Sequence, residues 1–121
     1  MNCHVFSLPE LSFTGGSSQS IKVRLTTKSG DIFEAAGCTI FFSLIPYSHQ
    51  YEQPILTKRA TSSRGDDGFF YAEMELTSAE TVNFHDVYIY QFTVVSENNQ
   101  IDPNHQGLLR INRNIDPSLI Q

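Results

Sequence analysis

The amino-acid sequence predicts an all-β fold, an antiparallel β-sandwich of seven to eight short strands with one short helical turn. Three observations carry that prediction. Nearly every apolar segment alternates with a period of two, which puts one side of each strand on a core and the other in water. Clusters of turn-forming residues separate these segments at regular spacing, as in sandwiches and barrels. Aromatic residues, all Phe and Tyr, reach 12% while charged residues stay at 17%, a mix that suits packed strands and argues against a coiled coil or a disordered chain.

An N-terminal strand is followed by Gly15-Gly16-Ser17-Ser18, read as a short flexible loop before the domain proper. Ile21, Val23 and Leu25 then alternate with Lys22, Arg24 and Thr26 as a half-buried strand. Lys28-Ser29-Gly30-Asp31 turns the chain into a short return at Ile32-Phe33-Glu34. Cys38 to Ile45 is apolar on both faces and reads as a central strand, ended by Pro46 because proline cannot donate to a ladder. Residues 46–54 form a polar loop, dotted with aromatics, between two prolines. Extended structure resumes from Ile55 to Ser62. Ser63-Arg64-Gly65-Asp66-Asp67-Gly68 reads as a hairpin turn, since Asp-Gly supplies the positive φ that such turns need. On the return strand Phe70, Ala72, Met74 and Leu76 face inward while Tyr71, Glu73 and Glu75 face out. Thr77 with Glu80 three residues on is a capping box, the start of one or two helical turns that cross between sheets and end by Phe84. Asp86 to Val95 is the longest β-run. Asn98-Asn99-Gln100 and Asp102-Pro103-Asn104 read as a polar hairpin loop, and Leu109 and Ile111 mark the last strand.

The length of 121 residues matches one domain over 1–121, with its core at 19–115 and 116–121 as a tail or the start of a linker. Asp116-Pro117-Ser118 has the form of an N-cap with proline at the first helical position, so it reads either as a helix leading onward or as a frayed polar end. Eight Lys and Arg against thirteen Asp and Glu give a net charge of −5 without any basic cluster, which argues against a nucleic-acid partner. The N-terminus lacks a basic region followed by a long apolar one, and no stretch approaches the ~20 apolar residues of a membrane span. The expectation is a soluble protein made in the cytoplasm, with no membrane partner. Cys3 and Cys38 sit far apart, and read as two small semi-buried hydrophobes or as one bridge between strands.

Candidate chemistry is sparse. The sequence contains no G-x-S-x-G, no glycine-rich nucleotide loop and no H-E-x-x-H. His4, His49, His85 and His105 are not spaced as ligand pairs and read as loop or rim residues. Glu73 and Glu75 share the outer side of one strand, where carboxylates are normally solvated. The expectation is therefore no catalytic residue, no cofactor and no metal. Two surfaces remain as contact candidates. Tyr47, His49 and Tyr51 lie on the loop between the prolines, where exposed tyrosines favour protein or sugar contacts or else cover the end of the sandwich. Arg64-Gly65-Asp66 spells an integrin-binding tripeptide on the hairpin tip, but Gly and Asp are also what the turn needs for its own geometry.

Tyr88 precedes Tyr90 after the short helix, where an immunoglobulin-like sandwich places its corner tyrosine two residues before its second cysteine. Val23 and Tyr90 then occupy the cysteine positions, and Phe41 or Phe42 replaces the core tryptophan. This fits an immunoglobulin-like module built without a disulfide.

From Ser20 to Ile115 the pattern resembles the N-terminal β-sandwich of phage baseplate upper proteins and related small tail proteins of phages infecting Gram-positive bacteria. The matching stretches are 21–31 (IKVRLTTKSGD), 37–42 (GCTIFF), 68–72 (GFFYA), 88–94 (YIYQFTV) and 107–111 (GLLRI). A baseplate upper protein continues into a further domain, so the resemblance implies either an excised domain or a smaller stand-alone tail component. It also implies a non-enzymatic assembly module found in the virion. Such a module docks to other tail or baseplate proteins, or to copies of itself, through a sheet edge or the Tyr47–Tyr51 loop. The alternative from another class is a cell-surface adhesion or carbohydrate-binding module.

Overall fold

The computed structural model describes residues 8–27, 29–49 and 53–116. Its strands are β1 (Leu11–Thr14), β2 (Gln19–Arg24), β3 (Thr39–Pro46), β4 (Leu56–Arg64), β5 (Phe70–Leu76), β6 (Asp86–Val95) and β7 (Ile101–Asn112). A 3-10 turn at Tyr47–His49 follows β3, and α1 (Ser78–Thr81) joins β5 to β6. The hydrogen-bonded order is β1-β7-β6-β3-β4-β5-β2. β4 is the pivot: through Ala60 it pairs with β3, and from Thr61 it pairs with β5. The ladder thus divides into two layers, β1-β7-β6-β3-β4 and β4-β5-β2, whose buried sides feed one apolar core. The fold is all-β and sandwich-like.

The core is built by alternation. β5 buries Phe70, Ala72, Met74 and Leu76 and turns Tyr71, Glu73 and Glu75 away. From the other layer come Ile40, Phe42, Leu44, Tyr90 and Phe92. Phe42 and Phe92 meet edge-to-face at 5.3 Å, and Tyr90 and Phe92 at 6.1 Å. Each fully buried ring of this kind contributes roughly 2–3 kcal/mol of transfer free energy. The capping box is present in full: Thr77 Oγ1 accepts from Glu80 N, and Thr77 N donates to Glu80 Oε1. The turn it starts carries the chain from one layer to the other, as its position between β5 and β6 predicts.

Several expectations need correction. One pair, β1 with β7, is parallel, so the sheet is mixed. Those two strands are separated by almost the whole chain, so no tight hairpin imposes the antiparallel direction. β1 also brings the ordered sheet forward to Leu11, ahead of the expected core start at 19. The segment after it is anchored, not a free spacer. Gly15 N donates to Asn112 O at 2.8 Å, and Gly16 N donates to Oγ1 of the buried Thr81 at 2.8 Å. Ile32-Phe33-Glu34 makes no strand, only a single bridge from Ile32 to Thr26. The β6–β7 turn closes at Ser96–Gln100, and Asp102 and Pro103 already lie in β7, the longest strand. Pro103 is accommodated by a register shift between Phe92 and Val94, a bulge that needs no donor from it.

That bulge determines the place of His105. It pairs with buried Phe92 and points inward, so it is a core residue and not a rim residue. Its Nε2 donates to Thr26 O at 3.2 Å, and its ring stands edge-on to Phe33 at 4.7 Å.

Candidate functional site

The residues singled out from sequence do not form one surface. Tyr47 is exposed on the 3-10 turn at the end of β3, beside the start of β4. Arg64 and Asp66 are exposed at the far end of β4, some eight residue rises or roughly 26 Å along the strand. The side chain of His49 and all of Tyr51 lie outside the described residues, as do Cys3, His4 and the proposed Cys3–Cys38 bridge.

At the hairpin tip the turn accounts for most of the sequence. Gly68 has a φ of +84°, and a Cβ on Gly65 would stand 2.6 Å from the Tyr71 ring and 2.8 Å from Asp67 Oδ1. Asp67 is held in place: Tyr71 donates its hydroxyl to Oδ2 at 2.6 Å, and Phe69 N donates to Oδ1 at 3.0 Å. These bonds, with Arg24 at 3.9 Å, keep the Asp67 carboxyl below the ordinary range, and its pull raises the Tyr71 phenol in turn.

The outer side of the β4-β5-β2 layer is charged and paired with itself. Lys22 stands opposite Glu73 in register and lies over the Tyr71 ring at 5.1 Å, while Arg24 lies over Phe69 at 4.7 Å. The outer side of the β1-β7-β6-β3-β4 layer is different. Its central strands place Phe41, Ser43 and Ile45 on β3 beside Thr93, Gln91 and Ile89 on β6, of which Ile89 is buried. Phe41 is 38% exposed and Ile101, opposite Val95, is 67% exposed. Gln106 Nε2 donates to Gln91 Oε1 at 2.7 Å, and Gln91 Nε2 donates to Thr93 Oγ1 at 2.8 Å, so part of the polar demand of this face is met internally. Among the described residues its outward strand positions carry two charges, Arg59 on β4 and Arg110 on β7, and no Asp or Glu.

Of the two rings offered in place of a core tryptophan, Phe42 is the buried one and Phe41 lies outside. β3 is not buried on both faces: Ile40, Phe42 and Leu44 are buried while Phe41 is exposed. The signal was available, because adjacent residues on a strand face opposite ways and Phe41-Phe42 must put one ring on each side.

The free strand edges are guarded. β1 has four residues. On the outer half of β4, Lys58 points inward, where its Nζ donates to Glu75 O at 2.7 Å and to Glu80 Oε1 at 2.9 Å. Upstream of its pairing with β1, β7 carries Pro103 and the bulge, and β2 carries Lys22 and Arg24. Short length, inward charge, proline, bulges and edge lysines all discourage strand addition.

Among the described residues no group of three or more His, Cys, Asp and Glu side chains is placed to hold a metal ion, and no helix is long and apolar enough to cross a membrane. Cys38 is half-buried, and burial, then Glu97 and Glu34, push its thiol above the ordinary value, away from a reactive thiolate. No family model and no curated protein matches the sequence.

Proposed function

We propose that the chain is a non-enzymatic assembly module of a phage or prophage tail, an immunoglobulin-like sandwich that docks to another tail protein. The observation that carries the docking role is the contrast between the two outer sheet faces. One is charged and internally paired, the other is low in charge with the Phe41 ring and Ile101 exposed, and interfaces concentrate such aromatic anchors. Guarded edges favour contact through this face over strand addition.

The immunoglobulin-like assignment is supported by the strand order, with β2-β5-β4 in one layer and β3-β6-β7 adjacent in the other, as B-E-D and C-F-G are in that fold. A second support is Tyr88, whose hydroxyl accepts from His85 N at 3.2 Å, the bond of a tyrosine corner. The tail assignment itself rests on the resemblance in sequence pattern. Mass spectrometry of purified virions from the source prophage is expected to detect the chain as a stoichiometric component. Its absence from particles would sink the tail assignment. The adhesion alternative predicts instead that integrin binding is lost on Asp66→Glu, or that glycan binding is lost on Tyr47→Ala.

A further inference from the structure

We propose that the outer face of the β1-β7-β6-β3-β4 layer docks a different protein, one that presents an apolar patch rimmed by carboxylates. The proposal rests on the assembly-module reading and names the chemistry of the partner. The chain carries thirteen acidic residues against eight Lys and Arg, yet the described outward positions of this layer hold no acid. Arg59 stands towards one margin, on β4, and Arg110 towards the other, on β7. In register, Phe41 stands beside Arg59, Val95 and Ile101 lie at that same end of the face, and the hydrogen-bonded Gln91–Gln106 pair lies between the two arginines. Arginine forks beside exposed apolar side chains match carboxylates on a partner, because guanidinium binds carboxylate in a bidentate, oriented way.

A second copy offers the wrong chemistry. The same face of a second copy repeats two arginines without a carboxylate. On its other layer Asp67 is held by Arg24, and Glu73 stands opposite Lys22 in register.

The test places the photo-crosslinker p-benzoylphenylalanine at position 41 of the full chain, in the cell that makes it, and sequences the crosslinked peptides. The expected result is a crosslink into another protein, next to Asp or Glu on its surface. The yield should fall roughly tenfold in the Arg59→Glu, Arg110→Glu double variant while its melting temperature is unchanged. Crosslinks to a second copy, to a basic segment or to lipid overturn the proposal. So does the absence of any crosslink, or a yield indifferent to the arginines. An acidic partner that is no virion component leaves the docking chemistry standing and removes the tail reading. A virion partner with a basic surface does the reverse.

Discussion

At the scale of single residues, Tyr90 shows how one ring decides its neighbours. It is fully buried, its hydroxyl donates to Pro9 O, and it lies opposite Gly107 in the β6–β7 ladder. A Cβ on Gly107 would come within 2.6 Å of the Tyr90 ring, so the glycine is there for close approach. Gly107→Ala is expected to cost about 1–3 kcal/mol through overpacking, read from the urea midpoint. Tyr90→Phe removes the donor alone and is expected to cost about 1 kcal/mol in the same measurement. Burial pushes the Tyr90 phenol above its ordinary value, so the folded state favours the neutral ring. The contribution of that ring is complete below about pH 10 and declines as pH climbs from there toward the raised value, with a limiting slope of about 1.4 kcal/mol per pH unit for one proton. The alkaline limb of the stability profile should be shallower in Tyr90→Phe. An unchanged limb would contradict this account.

At the scale of elements, the link between α1 and β4 is the most exposed to test. The Glu80 carboxyl sits below its ordinary range, first because the Thr77 backbone N–H donates to it and then because Lys58 does. Stability from this group is present above the ordinary carboxylate value near 4.5 and is lost as pH falls through the depressed one. Thr77→Ala is expected to cost about 1 kcal/mol by thermal unfolding. Lys58→Met removes both the pairing with Glu80 and the inward charge on the β4 edge. Light scattering of that variant should show more self-association than that of the parent. The capping box was legible because it needs only Thr77 and Glu80, three residues apart. The role of Lys58 was not, because its partners lie across the fold at Glu75 and Glu80.

At the scale of the whole molecule, the N-terminal segment closes one side of the sandwich. Leu8 is buried, Leu11 and Phe13 pack on the core, and Pro9 and Gly15 are tied to Tyr90 and Asn112. A chain beginning at 19 is expected to be roughly 3–6 kcal/mol less stable in urea, from the apolar area left uncovered. Equal stability of the two chains would show that β1 is dispensable. The same segment borders the proposed docking face, since β1 pairs with the end of β7 that carries Arg110.

The all-β class, the positions of most strands, the inward and outward sides of β5 and the capped helical turn are all legible in the order of residues. All of these follow from spacing within a few residues, and a two-residue period is visible wherever one face is buried. That β1 runs parallel to β7, that β4 passes between layers and that His105 is a core residue emerges from the folded arrangement of strands. The same arrangement leaves Phe41 outside and Phe42 inside, and separates Tyr47 from Arg64 and Asp66. Such facts depend on which strands meet, and strands that meet across the chain leave no mark in the local pattern that either one carries.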